Sequence, residues 1–353
     1  RPAGQGIMGA VATPSETIEA DGAEVQITNP GKVFFPALGY TKLDLVRYYL
    51  SVMPGVLAGA RDRPNLLKRH PDGVDGEFFY QKRVPQNRPP WMRTATVHFP
   101  SGRSAEFMLA ADGAHVAWSV NLGCIEVNPW PVRAPDLDHP DELRVDIDPT
   151  PGVPWPDVRD VTMLVGEVLE EHGLTGFPKT SGKRGMHVNV RIEPEWEFPQ
   201  VRKAALALAR DVVRRAPGVA TTAWWKEERR GVFIDYNQNA RDRTVASAYS
   251  VRAVPDARVS CPLDWDEVPA VEPGELTMAT VPERFRTKGD PGAAIDAHAG
   301  RLDALLELSE RQAREGQGEA PYPPHFPKAP DEPERVQPSR ARKGPKAPGA
   351  AEA

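Results

Sequence analysis

Residues 142–152, ELRVDIDPTPG, set two carboxylates, Asp146 and Asp148, on either side of Ile147 in an otherwise apolar run. In a strand, residues i and i+2 share a face, with Cα atoms about 6.5 Å apart. Both carboxylates then lean toward one spot. At ~5 Å and an effective dielectric of ~20 they repel by about 3 kcal/mol. Open water, a proton or a cation must offset that repulsion. Pro149 follows directly and ends the strand, because proline offers no N–H to a ladder. The pair therefore belongs near a sheet end, where sites are built.

A chain of 353 residues has room for one large domain or two ordinary ones, and 40% apolar content suits a packed core. No apolar run approaches the ~18 residues of a membrane span. The first residues lack a basic region followed by a long apolar one, so no signal peptide is expected, and a tag remnant before Met8 is. Two cysteines, Cys124 and Cys261, make neither a disulfide framework nor a four-cysteine zinc site. A reduced cytoplasm fits. The net charge of −5 argues against a protein that coats nucleic acid but allows a local grip. Such a grip has a candidate segment: from Arg61 to Arg103, nine Lys/Arg face four Asp/Glu.

Periodicity divides the chain. Residues 1–23 read as a flexible leader, and AEVQITNPGKVFFP as a strand, a turn and a short apolar segment. TKLDLVRYYLSVMPGVLAG reads as one helix, capped by Thr41 with Asp44 at the capping-box position and Leu45, Tyr48, Tyr49 and Val52 on its apolar stripe. Residues 64–130 are strand-rich. PDVRDVTMLVGEVLEEHG is a helix with Val158, Val161, Val165 and Val168 on one face and Gly173 at its end. Loop and strand (FPKTSGKRGMHVNVRIE), helix (PQVRKAALALARDVVRRAPG), strand (GVFIDYNQ), an extended piece (ASAYSVRAV) and a final helix (RLDALLELSERQAR) follow. Trp224 and Trp225 are expected in the core. From Pro321 on, nine of 33 residues are proline, which predicts a disordered tail. The divisions are thus a leader over 1–23, a folded domain over 24–316 and a Pro/basic tail over 317–353. Mixed strands and helices give α+β or α/β.

Asp146, Asp148 and the later Asp235 lie in strand-like, apolar contexts. Hard oxygen ligands of this kind suit Mg²⁺ or Mn²⁺, with phosphates completing the shell. Two such ions stabilise the attacking and leaving oxygens of a phosphoryl displacement. In KTSGKRGMHVNV, Gly182 and Gly185 let backbone amides approach an anion, while Lys179, Ser181, Lys183 and Arg184 add donors and charge, and His187 opens the next strand. The spacing is neither that of a P-loop nor that of a Rossmann turn.

RVDIDPTPG, FPKTSGKRGMHVNVRI, VFIDYNQNARDRTVASAYSVR and the early ITNPGKVFFPALGYTKLDLVRYY occur in this order. Together they resemble the polymerase domain of bacterial ATP-dependent ligase D, of the archaeo-eukaryotic primase superfamily, over residues 25 to 314. With no K-x-D-G ligase motif, the chain is similar to the stand-alone actinobacterial primase-polymerases that work beside a separate ligase in excision repair. The resemblance implies an α+β primase core, with an RRM-like sheet, a smaller mixed sheet and flanking helices. It assigns Asp146, Asp148 and Asp235 to catalytic metal binding (two ions, Mn²⁺ or Mg²⁺). Ser181, Arg184, His187 and Arg252 match triphosphate-binding positions, and Gln238 lies near the active site. Asn29, Lys32 and Lys42 match a pocket for a downstream 5′-phosphate. Phe78 and Phe79 match an aromatic pair that stacks on template bases, with Lys82 on the DNA backbone.

The implied activity is template-dependent addition of rNTPs or dNTPs, with ribonucleotides preferred, to a primer 3′-hydroxyl. The implied substrate is gapped or broken duplex DNA bearing a 5′-phosphate, and the implied setting is the cytoplasm, at the nucleoid. Asn128 in CIEVNPW departs from the family's usual histidine; asparagine still donates a hydrogen bond but cannot carry a proton's charge. Two rival readings are a metal-dependent phosphoesterase or nuclease using the same aspartates, and a non-catalytic end-binding module that recruits a ligase.

Overall fold

The computed structural model describes residues 13–99, 102–323 and 336–339. The expected tag remnant and most of the Pro/basic tail lie outside them. The described chain opens on a ribbon, β1 (Ser15–Ala20) and β2 (Ala23–Thr28), turned at Asp21 and Gly22, whose φ angles are 47° and 79°. A second ribbon, β3 (Val33–Phe35) and β4 (Tyr40–Thr41), leads into α1 (Lys42–Ser51) and α2 (Met53–Ala60). Then come β5 (Pro64–Asn65), β6 (Leu67–Arg69), β7 (Phe79–Gln81), β8 (Thr94–His98), β9 (Ser104–Leu109) and α3 (Gly113–Asn121). Strands β5, β9 and β8 form a small sheet in that order, bridged in parallel between Arg61 and Ala110, and β6 pairs with β7.

The larger sheet is built from β10 (Glu142–Pro149), β11 (Gly176–Thr180), β12 (Met186–Arg191), β13 (Ala220–Thr221) and β14 (Val232–Asp235), with α4 (Trp155–Glu171) and α5 (Phe198–Arg215) between them. Its order is β11-β12-β10-β14-β13; β13 runs parallel to β14 and the other pairs are antiparallel. Two short strands, β15 (Ser250–Val251) and β16 (Val259–Ser260), precede α6 (Val281–Lys288) and α7 (Asp303–Arg314). A larger sheet, a smaller one and flanking helices are the α+β arrangement expected.

Strand alternation gives the larger sheet two unlike faces. Leu143, Val145 and Ile147 of β10 and Met186, Val188 and Val190 of β12 are buried on the face that α4 and α5 cover. Each such side chain stabilises the fold by ~1.5–3 kcal/mol. The opposite face carries Glu142, Arg144, Asp146 and Asp148, paired across to Arg191, Asn189 and His187. At the far end of this polar face, the fully buried Arg63 donates to both oxygens of Asp141 at 2.6 and 3.0 Å. Glu142 accepts from Arg144 at 2.7 Å and from Arg191 at 3.2 Å. These pairs anchor the first half of the chain to β10.

Three expectations change. The long first helix is two helices, broken at Val52. Pro54 has no N–H to donate backward, and its ring crowds the preceding turn. The leader is not flexible throughout, because β1 pairs along its length with β2. Residues 317–323 and 336–339 pack on the domain, with Tyr322 only 5% exposed.

Candidate active site

The two aspartates of β10 lie at its C-terminal end, and Asp235 is the cross-strand partner of Asp146. Asp146 is buried, and its Oδ1 makes no hydrogen bond of good geometry, although His187 Nε2 stands 3.2 Å away. Asp148 opens to solvent. Burial and the Asp235 charge push Asp146 up to about 7. Asp146 itself, then burial and Asp235, push Asp148 up to about 8. The Asp235 carboxylate is turned onto its own turn, accepting from the Asn237 N–H and from Gln238 Nε2, both at 3.0 Å. Among the described residues no three His, Cys, Asp or Glu side chains converge as a closed metal site. Two mutually repelling carboxylates at a strand end, one with an unpartnered buried oxygen, nonetheless fit a hard divalent cation.

The glycine loop between β11 and β12 lies against this end of β10. Gly185 must be glycine, since a Cβ there would sit 2.2 Å from the Ile147 carbonyl oxygen. Gly182 adopts φ +69°. Ser181 Oγ accepts from the Lys183 and Gly185 amides at 3.2 and 3.1 Å and so shapes the loop. Arg184 is exposed at the loop tip and lies close enough to oppose the upward shift of Asp148. Arg252 donates to the Ser181 carbonyl at 2.5 Å and pairs with Glu126 at 3.3 Å.

Lys179, expected to add a donor and charge to the glycine loop, is internal instead. It is 2% exposed, and its Nζ contacts the Ala246 carbonyl at 2.8 Å, Ser260 Oγ at 2.7 Å and His187 Nδ1 at 2.6 Å. Ser260 Oγ spends its own hydrogen on the Thr180 carbonyl, so it accepts from Lys179. His187 Nδ1 is the third group on this nitrogen, and His187 Nε2 faces Asp146. Burial, then Lys179, holds His187 well below its ordinary value, so it is neutral.

Glu126 escaped the sequence reading. It is 4% exposed; burial alone would raise its pKa, but Arg252, Lys68 and Lys183 bring it down to about 2. Because the folded value lies below the ordinary 4.5, its contribution is complete above that pH and is lost as pH falls toward 2. The difference is on the order of 3 kcal/mol. Denaturant unfolding at pH 6 and pH 3 should show a steeper acid loss for the wild type than for Glu126→Gln, and parallel profiles would contradict the pairing.

The expected 5′-phosphate pocket is partly assembled. Asn29 has φ 49°, and Lys32 pairs with Asp72 at 2.7 Å. Lys42 is less free than its place at a helix start implies: it is 6% exposed and donates to the Thr28 carbonyl at 2.6 Å and the Asn121 carbonyl at 3.2 Å. Burial, then Lys32 and Arg69, lower its pKa. Arg69 therefore joins this cationic cluster. Phe78 and Phe79 are both exposed, at 49% and 46%, and Tyr80 extends the patch. Lys68 lies 4.5 Å over Phe78 and Arg69 5.2 Å over Phe79. Lys82 Nζ sits 4.9 Å over Phe99. Asn128 is buried, with Nδ2 unpartnered. Trp224 and Trp225 are half-buried in a loop rather than in the core.

A family model described as LigD, primase-polymerase domain, matches residues 41–292. The chain belongs to the LigD primase-polymerase domain family. The multifunctional non-homologous end joining protein LigD of Pseudomonas aeruginosa is 30% identical over 311 residues, 87% of this chain and 37% of that protein. The corresponding Mycobacterium tuberculosis H37Rv protein is 31% identical over 294 residues, 80% of this chain and 38% of its own length. The chain thus spans well under half of these LigD relatives. The polymerase domain of M. tuberculosis ligase D, solved in complex with DNA, superposes with a TM-score of 0.73 at 30% identity, covering 78% of this chain and 99% of that one. The fold is therefore that of the LigD polymerase domain.

Proposed function

We propose that this LigD-family chain is a template-dependent primase-polymerase that extends a primer 3′-hydroxyl at short 5′-phosphorylated gaps or broken DNA ends. The observation that carries the reading is the apposition of the Asp146 and Asp148 strand end to the glycine loop of residues 181–185. Asp146, Asp148 and Asp235 would hold two divalent cations, Mn²⁺ or Mg²⁺, which when bound supply charge stabilisation at the phosphorus. Ser181 shapes the loop. Arg184 and Arg252 receive the triphosphate, with Arg252 aligned by Glu126. Neutral His187, held by Lys179, presents Nε2 to the site without adding a competing charge. Gln238 steadies Asp235. The 3′-hydroxyl attacks the α-phosphorus and pyrophosphate leaves.

Catalysis occupies residues 24–316. The partners are gapped or broken duplex DNA, rNTPs or dNTPs, and a separate DNA ligase, in the cytoplasm at the nucleoid. No described helix is long and apolar enough to cross a membrane. Phe78 and Phe79 offer stacking faces worth ~1–3 kcal/mol per base, with Lys82 alongside for backbone phosphates. Incubated with labelled primer–template alone, the protein should leave the primer's length unchanged, and matched nucleoside triphosphate should lengthen it. Shortening would mark a nuclease.

Asn29, Lys32 and Lys42 form the 5′-phosphate pocket, with Arg69 beside them. Wild type should bind a 5′-phosphorylated gap more tightly than a hydroxyl-ended one, by a margin that shrinks with salt. Lys32→Ala should lose most of that margin without unfolding the protein, whereas Lys42→Ala also strands two half-buried carbonyls. Equal wild-type affinity for both ends at low salt would refute the assignment.

A further inference from the structure

Arg202 of α5 is 2% exposed. Its Nε and Nη2 both donate to Asn237 Oδ1, at 3.1 and 2.9 Å. Asn237 in turn donates its backbone N–H to Asp235. On its other side the guanidinium reaches residues beyond α7. Nη2 donates to the Pro321 carbonyl at 2.6 Å, and both terminal nitrogens lie 3.3 Å from the Ala320 carbonyl. The Tyr322 ring lies 3.9 Å from Cζ, and the Tyr236 ring lies 5.1 Å away on the same guanidinium. Tyr322 is itself buried, and its carbonyl accepts from the Val336 N–H at 2.8 Å. About two helical turns further along α5, Arg210 donates to the Gln317 carbonyl at 3.1 Å and also to the Gly318 carbonyl. Residues 317–322 lie outside the stretch matched by the family model, which ends at residue 292.

We propose that residues 317–322 are a strap that positions the Asp235 turn, with Tyr322 seating Arg202 and Arg202 fixing Asn237. A guanidinium this deeply buried needs its donors satisfied, and carbonyl groups and tyrosine faces meet that need. Removing the strap face leaves the guanidinium underpaired. It then shifts, the Asn237 side chain loses its anchor, and Asp235 loses the N–H that orients it. Arg202 and Tyr322 are positioning residues, since neither touches the reacting groups. Groups that orient a ligand from behind typically change metal affinity or activity by about 10–100-fold when removed.

The role rests on the proposed polymerase reading, so the test has an arm that does not depend on it. In the full chain, Tyr322→Ala and Tyr322→Phe are compared with wild type. The readouts are Mn²⁺ affinity without DNA or nucleotide, affinity for gapped DNA without metal, and the single-turnover rate of nucleotide addition. Tyr322→Ala should weaken Mn²⁺ binding and slow addition by about tenfold or more, while gapped-DNA affinity stays at the wild-type level. Tyr322→Phe keeps the ring and gives up only the hydroxyl that also bonds the guanidinium, so its losses should be smaller than those of Tyr322→Ala. Unchanged Mn²⁺ affinity in Tyr322→Ala would overturn the strap, as would equal losses in the two variants or a parallel loss of DNA affinity. If wild type adds no nucleotide yet Tyr322→Ala still loses Mn²⁺ affinity, the polymerase reading fails and the strap stands.

Discussion

Asp148→Ala should abolish nucleotide addition while leaving affinity for gapped DNA close to wild type. Asp148 is the solvent-open member of the β10 pair, so it is the carboxylate through which an incoming triphosphate and its cation would first be engaged. Its loss should slow addition by on the order of a thousandfold, about 4 kcal/mol of barrier. The same substitution should not weaken the fold. Asp146 lies beside it and is the chief cause of its upward shift, so deleting Asp148 removes a repulsion rather than a bond. The metal-free variant should therefore melt no lower than wild type. The aromatic and cationic groups assigned to DNA stand on or beside β6, β7, the loop before β3 and the start of α1 and should be untouched. Near-normal addition at saturating Mn²⁺ would sink the metal assignment, and a large drop in melting temperature would show that the pair is not under the strain described.

Gly185→Ala should be nearly as damaging, by a different route. The added methyl would lie 2.2 Å from the Ile147 carbonyl oxygen, a backbone atom between the two aspartates. Either β10 or the loop must move. The loop is tied at Ser181, whose N–H donates to the Gly185 carbonyl at 2.9 Å, so the displacement carries through the triphosphate cradle. Misplacement by about 1 Å costs on the order of a hundredfold in rate, and forced packing costs ~1–3 kcal/mol of stability. Steady-state kinetics should show a raised KM for nucleotide together with a lowered kcat. Unchanged kinetics would mean that the loop does not hold the nucleotide.

Much of this site was legible because its chemistry is local in sequence. The i, i+2 aspartates, the glycine loop and the DYNQN turn each lie within a dozen residues, and the periodicity of α4, α5 and α7 was equally plain. What escaped was set by distant partners. Glu126 and Arg252 stand 126 positions apart, and nothing near either residue announces the pair. Lys179 looked like a free donor because a buried lysine is visible only once Ala246 and Ser260 fold over it. β1 is mostly exposed, so it lacks the alternating apolar signal that marks a half-buried strand. Its pairing with β2 across a tight turn holds it in place. Tyr322 was hidden in a proline-rich composition that predicts disorder, and the buried Arg202, distant in sequence, gives its ring a docking site. The broken first helix could have been read from Pro54, whose effect on the preceding turn is independent of context.

Template-directed nucleotidyl transfer at the Asp146, Asp148 and Asp235 end of the larger sheet is tested by pyrophosphate release measured alongside primer length, on a 5′-phosphorylated single-nucleotide gap with Mn²⁺ and each of the four ribonucleotides in turn. One pyrophosphate should appear per primer extended, with the base complementary to the template strongly preferred and no reaction in Asp148→Ala. Primer shortening, or pyrophosphate release that ignores the template base, would contradict this assignment.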